Sequence, residues 1–287
     1  MTKIVKIGKY NLKSINSGFI GLDGGAMFGI IPKPLWQKTN APDEQNRVTL
    51  ATRNLLLESK SKKIIIDTGM GTKWDKKSKE IFRIDSNLEL EHELKLFDIQ
   101  PDQITDVIIT HLHFDHTGGS TKLENGKLVP VFSNAKYYVQ QKNFEWAMNP
   151  SDRDRGSYIK ANFEPLAKEG VLNFTNENEF FDDEIQFKVI NGHTFGQQMI
   201  KISDGSTTLL YCCDLMPFLS HIRIPYIMGY DLQPLVTLEE KKKYLKLAAE
   251  ENWFLFFGHD PEIALSTVKH SDKGIVQDNF YKTFDEL

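Results

Sequence analysis

The decapeptide THLHFDHTGG, residues 110–119, constrains this chain more than any other feature. His111, His113, Asp115 and His116 lie within six residues of one another. Three imidazoles and a carboxylate are costly to bury unless each finds a partner. His111 and His113 are two apart, so on an extended segment they project to the same side. Asp115 and His116 follow where the chain begins to turn, a turn that Gly118 and Gly119 permit. One short segment therefore offers ligands to two neighbouring ions. Imidazole with carboxylate and no thiolate suits zinc, and also manganese, iron or cobalt.

Two metal ions need more donors than this segment supplies, and the chain offers them at the ends of apolar runs. His193 in NGHTFG, Asp214 in YCCDLMP and His259 in FFGHDP each follow such a run. Taken alone, a strand-end histidine is ordinarily a hydrogen-bonded packing residue. Three ligand-type residues at strand ends, beside the first motif, form a set that can converge on one rim.

The runs themselves predict strands over 48–58, 107–110, 137–140, 185–190, 199–202, 208–213 and 254–257, and a β-rich stretch over 62–69 whose closing DTG reads as a turn. Apolar spacing predicts helices over 87–97, 142–148, 158–168 and 238–251. That order gives an α/β fold with sheets sandwiched between helices. A chain of 287 residues without a linker, repeat or low-complexity tract reads as one domain over 1–287. Lys and Arg total 35 against 39 Asp and Glu, a net charge of -4, so no basic surface for nucleic acid is expected. No apolar run is long enough for a transmembrane helix, and the N-terminus lacks the apolar core of a signal peptide. Cys212 and Cys213 are adjacent and, on a strand, would point to opposite faces, which leaves no disulfide framework. A cytoplasmic protein is the expectation.

HxHxDH followed by a distant His, an Asp and a further His resembles the metallo-β-lactamase superfamily. IDTG at 66–69 is similar to a segment that the superfamily places just before its metal motif. The resemblance extends over most of the chain. It implies an αβ/βα sandwich, two mixed β-sheets packed face to face with helices outside. It further implies that His111, His113 and His193 hold a first ion, that Asp115, His116 and His259 hold a second, and that Asp214 bridges both. Asp67 would orient the motif from behind. The implied activity is that of a binuclear metal-dependent hydrolase. Two divalent ions, zinc foremost, lower the pKa of a shared water, and the resulting hydroxide attacks a carbonyl or phosphoryl centre. Asp115 or Asp214 would relay a proton to the leaving group.

Residues 22–36 and 214–234 are rich in aromatics and methionine. Both stretches resemble those of a bacterial subgroup of quorum-quenching lactonase-like (YtnP-like) metallohydrolases. Met27, Phe28, Trp36, Phe218, Ile222, Tyr226 and Met228 are expected to wall a pocket for an acyl chain or aryl group, with His221 as a polar donor. The same residues would equally serve a core or a contact between two copies in a homodimer. The better-known acyl-homoserine lactonases carry a tyrosine shortly after the bridging aspartate, whereas here Leu215, Met216 and Pro217 follow Asp214 and the next tyrosine is Tyr226. The expected substrate is a small lactone or ester with an apolar tail. Organophosphate or aryl ester hydrolysis is one alternative. Hydroxyacyl-glutathione thioester hydrolysis is another, although Gln197 and Gln198 stand where that pattern often carries a further histidine.

Overall fold

Leucine and isoleucine crowd the strands of the first half so densely that both faces must be covered. Leu55, Leu57, Ile64, Ile66 and Ile108 enter one buried cluster, while Leu56, Ile65 and Val107, between them in sequence, enter another. This is the two-residue alternation of a strand buried on both sides. The structure, a computed structural model, describes residues 5–85, 89–177 and 179–287.

Strands β1 (Val5–Ile7), β2 (Tyr10–Asp23), β3 (Arg47–Glu58), β4 (Lys63–Ile66) and β5 (Asp106–Ile108) are followed by a separate hairpin, β6 (Thr121–Glu124) and β7 (Lys127–Pro130). With β8 (Lys136–Gln140) and β9 (Leu172–Thr175) they form a seven-stranded sheet ordered β1-β2-β3-β4-β5-β8-β9, which leaves out the hairpin. A six-stranded sheet contains β10 (Ile185–Ile190), β11 (Gln197–Ser203), β12 (Thr208–Tyr211), β13 (Phe254–Phe256), β14 (Leu265–Ser271) and β15 (Gly274–Tyr281) in sequence order. Both sheets are mixed. Strands β4, β5, β8 and β9 run parallel, as do β12 and β13, and the remaining neighbours are antiparallel.

The main core joins the two sheets, with Ile7, Leu12 and Ile66 of the first meeting Ile185, Ile200 and Leu209 of the second. Helix Pro234–Glu250 adds Tyr244, Leu245 and Ala248 to that core. The other face of the first sheet carries helices Leu90–Lys95, Gln141–Met148 and Glu164–Lys168 through Leu90, Leu94, Ala147 and Leu166. This is the expected αβ/βα layering. No helix among the described residues is long and apolar enough to cross a membrane.

Three local expectations change. The helix expected over 158–168 is a 3-10 turn, Lys160–Asn162, followed by a helix at Glu164–Lys168. Pro165 has no N–H to continue a helix from the preceding turn. The strand expected over 208–213 stops at Tyr211, because Cys212 is already α-helical in backbone and Cys213 has a φ of 47°. The two cysteines are thus not on a strand, and both are free and buried. The helix expected over 87–97 is present at Leu90–Lys95, while residues 87 and 88 lie outside the described residues. The long β2 and the hairpin of β14 and β15 were not anticipated, since the polar residues of SINSG and STVKHS interrupt their apolar pattern.

Candidate metal centre

The turn after β5 decides where the histidines point. The chain stays extended through His113 (φ -66°, ψ 154°), which caps a one-turn helix, Phe114–Thr117. Asp67 leaves β4 with a φ of 59° and braces this turn from beneath. Its carboxylate accepts hydrogen bonds from Thr110 N (2.8 Å), Thr110 Oγ1 (2.9 Å) and His116 Nδ1 (2.8 Å). Gly118 has no room for a side chain, since a Cβ there would stand 1.9 Å from the Met70 carbonyl oxygen. That close approach seats the motif on the IDTG segment, where Thr68 N also donates to His116 O at 2.8 Å.

Two groups of donor atoms result, one of His111, His113, His193 and Asp214 and one of Asp115, His116 and His259. In the first, His113 Nδ1 is 3.0 Å from His111 Nε2 and 3.1 Å from His193 Nε2. Asp214 Oδ2 closes that group at 3.2 Å from His193 Nε2 and 3.7 Å from His111 Nε2. In the second, His116 Nε2 and His259 Nε2 are 3.1 Å apart. Asp214 Oδ1 lies 3.3 Å from the former and 3.1 Å from the latter. Asp115 Oδ2 is 3.6 Å from His259 Nε2. Ligands about 2.0–2.1 Å from a tetrahedral ion are separated by about 3.3 Å, so these spacings fit two small divalent ions. The two oxygens of Asp214 face different groups, the geometry of a bridging carboxylate.

The outward ring nitrogens are fixed as well. His193 Nδ1 donates to Asp231 Oδ1 at 2.8 Å and His259 Nδ1 to the Ala51 carbonyl at 2.8 Å. Thr110 Oγ1 stands 3.1 Å from His111 Nδ1. Each such bond sets the tautomer and turns the Nε2 lone pair inward. His113 is the exception, presenting Nδ1 inward while its buried Nε2 has no hydrogen-bond partner. Its ring is held against Tyr158, centroids 4.8 Å apart.

Burial works against a charge on every one of these imidazoles. It holds His111 and His113 well below their ordinary pKa, with neighbouring imidazoles adding to the effect. At His193 burial is outweighed by Asp214 and Asp231, which lift the pKa to about 10. Asp115, Asp214 and Asp67 likewise overcome burial at His116 and raise it well above its ordinary value, and Asp214 raises His259. Asp214 itself is buried, yet His116, His259 and His193 hold its carboxyl well below the usual range. The carboxylates thus favour positive charge at this point, which divalent ions would supply. Cys213 is no donor here. Burial, then Asp67 and Asp214, push its thiol far up, and its Sγ lies against the Gln198 carbonyl at 3.4 Å.

A cleft of about 290 Å³ opens over the two groups. Met27 and Met228 line it as expected, together with Leu22, Leu50, Phe82 and Phe114. Beyond the donor residues themselves, Arg153, Ser157 and Tyr230 add polar groups to its lining. The other five expected wall residues and His221 do not line it. Phe28, Trp36, Phe218 and Tyr226 are buried behind Met27 and Met228 in one apolar cluster. Met27 and Phe28 are neighbours on a one-turn helix, Gly24–Phe28, and project about 100° apart, so only one can face the cleft. Phe28 instead stacks on Trp36 at 5.1 Å and on His221 at 5.0 Å. His221 is a packing residue. It donates to the Met27 carbonyl at 2.9 Å, and burial, then Lys241, lower its pKa to about 3. Ile222 lines a separate groove beside the Leu219–Ile222 turn. Of the residues not anticipated, Phe114 sat within the motif and Leu22, Tyr230 and Asp231 within the two aromatic stretches, while Leu50, Phe82, Arg153 and Ser157 carried no signal.

Residues 50–259 match the metallo-β-lactamase superfamily. The chain belongs to that superfamily. The matched stretch opens within β3 and ends on His259, so it encloses all seven converging residues. Among metallo-β-lactamase superfamily relatives, N-acyl homoserine lactonase AttM of Rhizobium johnstonii is 28% identical over 183 residues, 62% of this chain and 65% of that protein. N-acyl homoserine lactonase AiiA of Bacillus thuringiensis subsp. kurstaki is 28% identical over 172 residues, 59% of this chain and 61% of its own length. Each match therefore spans less than two thirds of the relative. A probable metal-dependent hydrolase from Staphylococcus aureus superposes with a TM-score of 0.88 at 28% identity, covering 97% of this chain and 98% of the other. AidC, a dizinc quorum-quenching lactonase solved with the product N-hexanoyl-L-homoserine, superposes with a TM-score of 0.79 over 98% of both chains. At 22% identity the likeness to AidC is one of fold.

Proposed function

We propose that this chain is a binuclear metal-dependent hydrolase of lactones, or related esters, that carry an apolar tail. The observation that carries the reading is a pair of donor groups at the floor of a cleft with an apolar wall, with one oxygen of Asp214 facing each group. His111, His113 and His193 would hold one ion, Asp115, His116 and His259 the other, and Asp214 both. Two divalent ions, zinc matching the N and O donors best, would supply an activated water at neutral pH and polarise the oxygen under attack.

The chain's own residues do the rest. Asp67 and Asp231 keep two of the imidazoles in one orientation. Asp115 and Asp214 both border the cleft, and either carboxylate can pass a proton to the departing oxygen. Leu22, Met27, Leu50 and Met228 exclude water from one side and bind the tail. The lactonase names of AttM and AiiA support a lactone substrate, and the N-hexanoyl-L-homoserine in AidC is an acyl tail of the kind this wall suits. A second reading, aryl ester or phosphotriester hydrolysis, is favoured by the rings of Phe82, Phe114 and Tyr230 on the same cleft.

The test is kcat/KM of the remetallated enzyme for a series of acyl-homoserine lactones beside an aryl ester and an aryl phosphotriester. Each added methylene should improve KM about fourfold, from about 0.8 kcal/mol of binding, until the wall ends. Lactones near background with good turnover of the aryl substrates would move the assignment to the second reading.

A further inference from the structure

Asp231 belongs to no motif, yet it is 2% exposed and holds a metal-centre imidazole. Its Oδ1 accepts from His193 Nδ1 at 2.8 Å, while its buried Oδ2 has no hydrogen-bond partner. The backbone around it is laced to the segment that carries His193. Leu232 N donates to His193 O (3.1 Å), and Gln233 N to Gly192 O (2.8 Å). The Gln233 amide donates to Asn191 O at 2.9 Å.

The residues just before Asp231 form cleft wall. Met228 and Tyr230 line the cleft, and Asp231 N donates to Met228 O at 3.2 Å. Gly229 N donates to Ala26 O at 2.7 Å, next to Met27 on the same wall. Helix Pro234–Glu250 fastens the start of this strap from below. The buried ammonium of Lys241 donates to the carbonyls of Arg223 (2.9 Å), Ile224 (3.2 Å) and Tyr226 (2.6 Å). Three acceptors use all three of its protons.

We propose that Asp231 is a positioning residue for the first metal ion, acting through His193, and that the strap 223–233 thereby ties the cleft wall to that ion alone. The inference rests on the binuclear reading above. A carboxylate on the outer N–H fixes the ring and makes the inward nitrogen a stronger donor. The second ion has a different support, with Asp67 behind His116 and the Ala51 carbonyl behind His259. Loss of Asp231 should therefore weaken one ion and spare the other.

Zinc is titrated into the chelator-stripped full chain in competition with a chromogenic chelator, for wild type, Asp231→Asn, Asp231→Ser and Asp67→Asn. Wild type is expected to take up two ions. Asp231→Asn, close to isosteric, should weaken one binding step about 10–100-fold and leave the other within about twofold. Asp231→Ser should do the same if the Asn variant folds poorly, and thermal unfolding of the stripped proteins reports on folding separately. Asp67→Asn should weaken the other step more, because Asp67 holds His116 directly and reaches His111 only through Thr110. Two unchanged steps in both Asp231 variants, or two steps weakened alike, overturn the inference while leaving the binuclear reading intact. A wild type that binds fewer than two ions removes both.

Discussion

At the floor of the cleft His111, His116, His193 and His259 each have a hydrogen-bond partner behind the ring, whereas the wall of Leu22, Met27, Leu50, Phe82, Phe114 and Met228 is held by packing. The difference is between directional and additive forces. A donor aimed at an ion works over a few tenths of an ångström, so its loss is close to all-or-none. Apolar contact scales with area, so its loss is graded. The floor should therefore respond to substitution through metal content and kcat, and the wall through KM.

Asp214→Ala should break the floor most completely, because the two oxygens of Asp214 face different donor groups. The expected loss in kcat/KM is on the order of a thousandfold or more, about 4 kcal/mol of transition-state stabilisation. Elemental analysis should find fewer than two ions per chain. Retention of two ions and of most of the activity contradicts a bridging role.

Asp67→Asn removes no donor atom itself, only the support behind His116, and should cost less, about 10–100-fold in activity or metal affinity. A loss as large as that of Asp214→Ala would mean that Asp67 does more than hold Thr110 and His116.

Met27→Ala moves to the wall. Roughly tenfold in KM for a long-tailed lactone is expected, from about 1.5 kcal/mol of lost apolar contact, with kcat nearly unchanged because ground and transition states lose the same contact. A fall in kcat of the same size would show that the wall aligns the substrate as well as binding it.

His221→Gln should have the smallest effect on activity, within about threefold, because its hydrogen bond to Met27 O lies behind the wall and one such bond contributes about 0.5–1.5 kcal/mol. Its signature is in acid. The folded chain holds His221 neutral down to about pH 3 against an ordinary value of 6.5. Between those values the unfolded chain binds a proton that the folded chain refuses, so His221 makes stability fall as pH drops through that window. The Gln variant cannot take that proton. Its stability should decline less steeply than wild type between pH 6.5 and 4, as read by denaturant unfolding, and equal slopes would show that His221 titrates freely.

The seven residues that converge were legible because their information is local. HxHxDH puts four donors on one turn, and His193, Asp214 and His259 each stand where an apolar run stops. Strand ends of a layered fold gather on one rim, so position along the chain was enough to group them. The same holds for residues 55–57 of β3, 64–66 of β4 and 107–108 of β5, apolar runs that fit a strand buried on both faces. β2 and the β14 and β15 hairpin escaped because partner strands supply the order that their own mixed sequences do not.

What the amino-acid sequence determined by itself was the layering of the fold and which seven side chains gather at the floor of the cleft. Only the tertiary structure decided what surrounds them. Whether Met27 or Phe28 faces the cleft depends on how a one-turn helix seats against Trp36 and His221, and its sequence suits either face. Leu22, Phe82, Arg153 and Tyr230 reach one cleft from four distant stretches, and Asp231 meets His193 across 38 residues. Coordination is written in spacing and residue type, which a linear chain carries, whereas a wall is shaped by which surfaces packing leaves uncovered.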